Sequence, residues 1–331
     1  FSQQPQKEMF MFSKKICLLT TVVLIMLLSA VGYVTAEEKP LKIALILWRG
    51  ETEVEKGFRD GLKELGYTAT YTAFNADQNP KKLSGLLKSF NPLDYQYLYT
   101  FGTSVSLKVK NDFQGVTPQV FAAVLYPVTS GLVQNLARPG VNISGSSHFI
   151  PVEKQIETAY RLLEFSNLGV FYNPNEANSV ESVRQIRNTA QKLGFSLKPY
   201  PVKPKTDRMG KYLRLIEKDI LDVDAVYLPS DSYIISESRN IANALERAKI
   251  PGFAAVEECV KNGVLFGLTT SYYDLGKATA AIIDQREKGK ALSAIPVSLP
   301  SQTYLLINKT TARSLEFKPD PKLTGNVRWV E

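Results

Sequence analysis

Histidine and cysteine are nearly absent from this sequence, and their scarcity excludes several kinds of site. The single histidine, His148, cannot supply the paired imidazoles of a common zinc site, and no clustered carboxylates of the calcium-loop kind replace them. A G-x-S-x-G nucleophile motif and paired catalytic carboxylates are also missing, which disfavours an enzyme. We therefore expect no metal or other cofactor, and we expect His148 to be structural, as a lone histidine in a loop ordinarily is.

The two cysteines bear on the cellular compartment. Cys17 lies at the front of an apolar run that extends from Ile16 to Val34. Two lysines precede this run, and Ala36 and a polar segment follow it. This order is typical of a secretory signal peptide, and we expect cleavage after Ala36 and a periplasmic protein. An uncleaved anchor is the alternative, although the run is marginal for the roughly 20 residues of a membrane span. After cleavage Cys259 is alone, so we expect a buried free thiol and no intramolecular disulfide.

A concentrated stretch of basic residues is missing as well. The formal net charge is +8 at pH 7, but no long basic run or arginine-rich arm accounts for it. Proteins that bind nucleic acid usually carry their positive charge in a stripe or patch. We therefore expect a solvated basic surface and no nucleic-acid partner.

The sequence does contain a sustained alternation of strand-like and helix-like segments. The first predicted strand, residues 42–48, is almost entirely apolar, as strands buried on both faces are. The helix after it has one apolar face, formed by Val54, Phe58, Leu62 and Leu65. Similar pairs continue through a second set of segments that begins after Pro151. This pattern predicts two α/β halves in tandem, each with a parallel sheet.

Three of the strand-like runs end in small polar residues that lead into a helix. The residues at these junctions are Thr103 and Ser104, Asn178 and Ser179, and Asp231. In a parallel sheet, the carboxyl ends of the strands and the amino ends of the next helices share one edge, where ligands bind. Helix amino ends also favour anions. The junctions therefore predict a binding site for a small molecule.

A series of different short motifs extends over most of the chain. They are Gly57-Phe58, Gly61-Leu62 and Glu64-Leu65-Gly66-Tyr67; Gly102-Thr103-Ser104; Phe121-Ala122-Ala123-Val124, Pro127-Val128 and Gly131-Leu132-Val133; Pro139-Gly140-Val141-Asn142-Ile143-Ser144-Gly145; Gly169-Val170-Phe171-Tyr172-Asn173, Glu176 and Asn178-Ser179; Ser230-Asp231; and Tyr272-Tyr273-Asp274-Leu275-Gly276. In this order and spacing, residues 41–317 resemble the periplasmic substrate-binding proteins of ABC transporters, in the branch of tryptophan- and tyrosine-binding proteins.

The resemblance implies a type I periplasmic binding protein fold, an α/β architecture of two Rossmann-like lobes with parallel sheets. The first lobe would comprise residues 38–148 and 270–299, and the second residues 149–269 and 300–331. A hinge of three chain crossings would join them, near Ser147–Ile150, Leu268–Ser271 and Leu299–Thr303. The ligand would lie between the lobes of a monomer, and hinge closure would trap it.

The junction residues then acquire binding roles. Thr103 and Ser104 would hold a ligand carboxylate, and Asn178 and Ser179 would face them from the second lobe. Each of these residues could instead cap its own helix, and one side chain can do both. Asp231 would pair with a ligand ammonium group. The alternative for Asp231 is a plain helix cap, although its two serine neighbours are available for that.

Aromatic residues would form the walls of the site, with core packing as the alternative for each. The candidates are Trp48, Tyr126 and Tyr272, and Glu257 is a weaker polar candidate. At two places the chain departs from many relatives. The segment from Trp48 to Glu51 replaces a His-Pro-Ala-type motif, and Tyr126 replaces an aspartate. These departures leave the identity of the ligand open.

We thus expect an exported solute-binding protein that captures an amino acid, aromatic or otherwise apolar, or a related compound. It would deliver this ligand to an ABC permease in the membrane and perform no chemistry on it. The alternative within binding proteins is a sensor that presents its ligand to a membrane receptor or kinase. A purely structural protein would leave the polar junctions without a common purpose.

Overall fold

The computed structural model describes residues 39–320 and 326–331. The predicted signal peptide, its cleavage site at Ala36 and Cys17 lie outside this part of the chain. Within it, no helix combines the length and the apolar character needed to cross a membrane. Cys259 is a buried free thiol, as predicted, and burial raises its pKa to about 12.

The first sheet has five strands, all parallel, in the order β2-β1-β3-β4-β5. The strands are β1 (Leu41–Leu47), β2 (Ala69–Asn75), β3 (Tyr97–Phe101), β4 (Gln119–Ala122) and β5 (Ile143–Gly145). The helices between them are α1 (Glu53–Glu64), α2 (Pro80–Lys88) and α3 (Thr103–Phe113). Six of the seven residues of β1 are buried, because this strand lies inside the sheet with both faces covered.

The second sheet has seven strands in the order β12-β11-β10-β9-β8-β6-β7. They are β6 (Asn167–Tyr172), β7 (Ser196–Pro201), β8 (Ala225–Leu228), β9 (Gly252–Ala254), β10 (Phe266–Thr269), β11 (Tyr304–Asn308) and β12 (Val327–Val330). All neighbours are parallel except β10 and β11. The predicted α/β fold with two mostly parallel sheets is confirmed.

Seven further helices cover the second sheet or return to the first. They are α4 (Val152–Leu163), α5 (Ala177–Leu193), α6 (Arg208–Glu217), α7 (Ser232–Arg247), α8 (Glu257–Lys261), α9 (Tyr272–Glu287) and α10 (Lys309–Ser314). Helix α9 packs against α1 and β4, although it follows β10 of the second sheet in the chain. The chain therefore passes back from the second sheet to the first before it ends.

Glycines allow α9 to lie directly on α1. A Cβ atom at Gly276 would lie 2.0 Å from the carbonyl oxygen of Val54, and one at Gly57 would lie 2.0 Å from that of Tyr273. Both positions therefore require the absence of a side chain. Farther along α9, the hydroxyls of Thr279 and Ser146 are 2.6 Å apart, which ties the helix to the residue after β5.

We expect Gly276→Ala to lower the free energy of unfolding by about 2–3 kcal/mol, because the added methyl group must push two helix backbones apart. The control is Gly85→Ala in α2, where no atom lies within 4 Å of the added Cβ. That change should raise the free energy of unfolding by about 0.5–1 kcal/mol, since alanine favours the helix. Urea denaturation measures both. Equal stability of the two variants would contradict the close packing of α1 and α9.

Candidate functional site

A cavity lies between the two sheets, where strands of both sheets end at their carboxyl edges. The residues from the first sheet and α9 are Trp48, Arg49, Phe101, Gly102, Thr103, Ser104, Ala123, Leu125 and Tyr272. Those from the second sheet and its helices are Glu176, Asn178, Ser230, Ser232 and Ile235, and His148 completes the wall. The free volume at the centre is about 30 Å³, the space of about one water molecule. An adjoining cavity of about 560 Å³ shares Trp48, Ser104 and Glu176 with it.

Five of the nine residues that the sequence suggested line this cavity. They are Trp48, Thr103, Ser104, Asn178 and Tyr272. The side-chain amide of Asn178 donates to the backbone oxygen of Ser230, so it also joins two strand ends of the second sheet. The other four suggested residues are not in the cavity wall.

Asp231 is the helix cap that the sequence left as its alternative. One carboxylate oxygen accepts from the backbone N–H groups of Tyr233 and Ile234, at 3.0 and 3.1 Å. The other accepts from the N–H of Asn173 at 2.7 Å and the hydroxyl of Ser179 at 2.5 Å. The side chain is fully buried, and burial raises its pKa. The protein itself therefore supplies four hydrogen bonds to Asp231, one of them from Ser179.

Glu257 and Tyr126 also lie behind the wall. The carboxylate of Glu257 accepts from the backbone N–H of Tyr272 at 3.2 Å and from the hydroxyl of Tyr304 at 3.1 Å. It therefore holds the first turn of α9 against β11. Tyr126 packs edge-on against Phe149, with ring centroids 5.7 Å apart. These two residues support the cavity from outside.

Arg49 is a residue of the wall that sequence reasoning missed. Its guanidinium group binds the Glu258 carboxylate through both terminal nitrogens, at 3.1 and 2.9 Å. The same group lies over the ring of Phe101, 5.6 Å from its centroid. Only 8% of the Arg49 side chain is exposed. The ion pair joins the end of β1 to α8, and therefore crosses between the two sheets.

Glu176 is the acidic group of the cavity. It is 7% exposed, and its carboxylate accepts from the backbone N–H of Ser232 at 3.1 Å. The pKa of Glu176 is raised to about 8, mainly by burial and then by the charge of neighbouring Asp231, while Ser232 and Arg49 oppose the shift. Near neutral pH this side chain therefore holds a proton unless a positive charge lies beside it.

His148 links the two sides of the cavity. Its Nε2 lies 2.7 Å from the hydroxyl oxygen of Ser230, and its ring meets that of Tyr272 edge-on, with centroids 5.9 Å apart. Burial, together with a smaller effect of the positive charge of Arg49, lowers the pKa of His148 to about 4. The ring is therefore neutral at physiological pH and carries one proton.

The sequence offered a weak signal for two of these three residues. Arg49 is the second residue after β1, in a segment that departs from many relatives, and Glu176 is one of the shared motif positions. The sequence alone does not assign a binding role to either position. In the case of Arg49, its partner Glu258 is 209 residues away in the chain. No group of three or more His, Cys, Asp or Glu side chains between residues 39 and 320 or 326 and 331 is arranged to hold a metal ion.

Comparisons with known proteins confirm the family that the sequence motifs indicate. The family described as ABC transporter substrate binding protein matches residues 43–324. A tyrosine-binding protein of Clostridioides difficile is 25% identical over 285 residues, which cover 84% of this chain and 80% of the relative.

Solved structures give a similar result. An ABC domain from Streptococcus pneumoniae in complex with L-Trp aligns with a TM-score of 0.78 and 24% identity, over 88% of this chain and 100% of that one. A conserved domain protein from Vibrio cholerae aligns with a TM-score of 0.77 and 27% identity, over the same shares of the two chains.

We expect Asp231→Ala to lower the free energy of unfolding by about 2–4 kcal/mol, because it removes a helix cap and leaves buried N–H groups without an acceptor. Asp207→Ala is the control, since Asp207 precedes α6 but makes no capping hydrogen bond. That change should alter stability by less than about 0.5 kcal/mol. Thermal and urea unfolding measure the difference. A fully stable Asp231→Ala protein would contradict the structural role.

Glu176 should make stability depend on pH. Because its pKa is higher in the folded protein than the ordinary value, the folded state holds a proton that the unfolded state releases. The free energy of unfolding should therefore fall as pH rises from about 5 to about 8. In Glu176→Gln this part of the decline should be absent. Parallel stability curves for the two proteins over this range would contradict the raised pKa.

Proposed function

This chain belongs to the family of ABC transporter substrate-binding proteins, and we propose that it binds an amino acid with an aromatic or other apolar side chain. It is a solute-binding protein and not an enzyme. The observation that carries the proposal is a cavity with an arginine on one side, a buried glutamic acid on the other and aromatic rings beside them. A zwitterion with an apolar side chain matches these three features.

The carboxylate of the ligand would bind at the start of α3. Gly102 precedes this helix, and no side chain caps it, so the N–H groups of its first turn are free of a capping side chain. Thr103 and Ser104 line the cavity at this point, and Arg49 lies in the same wall. Helix N–H groups and a guanidinium group are both suited to a carboxylate.

The ammonium group of the ligand would pair with Glu176 rather than with Asp231. Asp231 has its acceptor positions filled by protein groups, whereas Glu176 accepts from the backbone N–H of Ser232. A ligand cation beside Glu176 would restore its ionised form and compensate its burial. Asn178 lies close by in the wall and would add a polar contact.

The side chain of the ligand would contact the apolar part of the wall. Trp48 and Tyr272 supply rings, and Phe101, Leu125 and Ile235 supply further apolar surface. The relative from Clostridioides difficile is a tyrosine-binding protein, and the structure from Streptococcus pneumoniae contains L-Trp. Both relatives favour an aromatic amino acid as the ligand.

We further propose that the protein acts as a monomer in the periplasm, after removal of its leader, and delivers its ligand to an ABC permease. Its lobes would be residues 38–148 with 270–299 and residues 149–269 with 300–331. Packing of α9 on α1 supports the return of the chain to the first lobe. The ion pair between Arg49 and Glu258 would then span the cleft and break when the lobes separate.

Titration calorimetry tests the proposal with L-tryptophan, L-tyrosine, L-phenylalanine and L-leucine. We expect at least one to bind, and we expect Glu176→Gln to weaken L-tryptophan by about tenfold or more, through loss of a buried charge partner. Indole-3-propionate lacks the ammonium group, so its affinity should not fall in this variant. Glu181→Gln is the control, because Glu181 pairs with Arg184 on the surface of α5.

The two failures of this experiment have different meanings. Binding of a sugar or nucleoside in place of every amino acid would overturn the proposed function. An equal loss of affinity for L-tryptophan and indole-3-propionate in Glu176→Gln would contradict the ammonium contact only.

A further inference from the structure

His148 has one ring nitrogen that the protein itself does not use. Its Nε2 lies within hydrogen-bond distance of Ser230 Oγ, but its Nδ1 is buried and has no hydrogen-bond partner in the part of the chain that the structure describes. The residue is 6% exposed and lines the cavity. A buried polar atom without a partner costs about 1–3 kcal/mol, so such atoms are uncommon. Arg59 Nε and Tyr126 Oη are the other two among the described residues, and only His148 of the three residues lines the cavity.

We propose that His148 determines ligand specificity by donating a hydrogen bond from Nδ1–H to the carboxylate of the bound amino acid. This inference rests on the proposed function, since the carboxylate belongs to that ligand. It replaces the expectation from the sequence that the single histidine is structural. It also gives the orphaned nitrogen a partner that is present only in the complex.

The surroundings of the ring favour a donor at Nδ1. The hydroxyl of Ser230 can donate its proton to Nε2, which leaves the single proton of the neutral ring on Nδ1. Arg49 is the charged group that acts on His148, and its positive charge attracts an anion and repels a cation. A ligand carboxylate is therefore the group that suits this side of the cavity.

The opposite tautomer makes a different prediction. If Nε2–H donated to Ser230, the Nδ1 atom would be an acceptor and would suit the ligand ammonium group. The positive charge of Arg49 opposes that arrangement, and Glu176 offers the ammonium group a better partner. The two arrangements differ in the position of one proton, which can be measured.

The scarcity of histidine makes that measurement simple. Because His148 is the only histidine of the chain, ¹⁵N-labelled histidine gives a single imidazole spectrum without assignment. In the complex with L-tryptophan we expect a protonated Nδ1 and an unprotonated Nε2, with the larger change on binding at Nδ1. An unprotonated Nδ1 in that complex would overturn the inference.

Two variants separate the roles of the two ring nitrogens. The amide of asparagine takes the position of Nδ1, and the amide of glutamine takes that of Nε2. We expect His148→Asn to bind L-tryptophan within about threefold of the unchanged protein, and His148→Gln to bind about tenfold or more weakly, since a hydrogen bond to a charged group is lost. Calorimetry measures both affinities.

The outcomes keep this inference apart from the proposed function. If L-tryptophan binds and His148→Gln retains full affinity, the contact from Nδ1 is wrong but the function stands. If no amino acid binds to the unchanged protein, the proposed function and the contact both fail. The spectrum of the unchanged protein answers the question even if a variant does not fold.

Discussion

The buried carboxylate of Asp231 is the interaction on which the second half of the cavity depends. It caps α7 and accepts from Asn173 and Ser179, so one side chain fixes the residues after β6 and the starts of α5 and α7. Both of its oxygens accept hydrogen bonds from the protein itself. Its negative charge also raises the pKa of Glu176, so the ionised form of Glu176 would be stabilised by a cation beside it. The carboxylate that organises this half of the cavity therefore also favours the protonated form of its neighbour Glu176.

The first half of the cavity, by contrast, carries positive rather than negative groups. Helix α3 begins without a capping side chain, so its positive end remains open, and Arg49 lies in the same wall. His148 stays neutral because burial and Arg49 both oppose a second proton. A ligand that carries both charges, and an apolar group between the rings of Trp48 and Tyr272, satisfies both halves together. This complementarity favours an amino acid over a sugar, which carries neither charge.

Much of the fold could be predicted because strands buried on both faces leave a continuous apolar pattern, as β1 does. The last strand, β12, escaped prediction since it is four residues long and includes the exposed Trp329. In the site, the sequence identified polar residues that follow strands. It cannot distinguish a side chain that caps a helix from one that contacts a ligand. Asp231 was therefore expected to contact a ligand, with a helix cap as the alternative, and only the positions of its neighbours identify it as a cap.

The most direct test of the central claim, a cleft that selects an amino acid by its two charges, is native mass spectrometry of the purified protein. Tight binders often retain their ligand through purification, and the mass of the released molecule identifies its class. We predict one amino acid per chain, lost when the protein is denatured. A retained sugar or nucleoside would contradict the account, because neither carries both an ammonium group for Glu176 and a carboxylate for the uncapped start of α3.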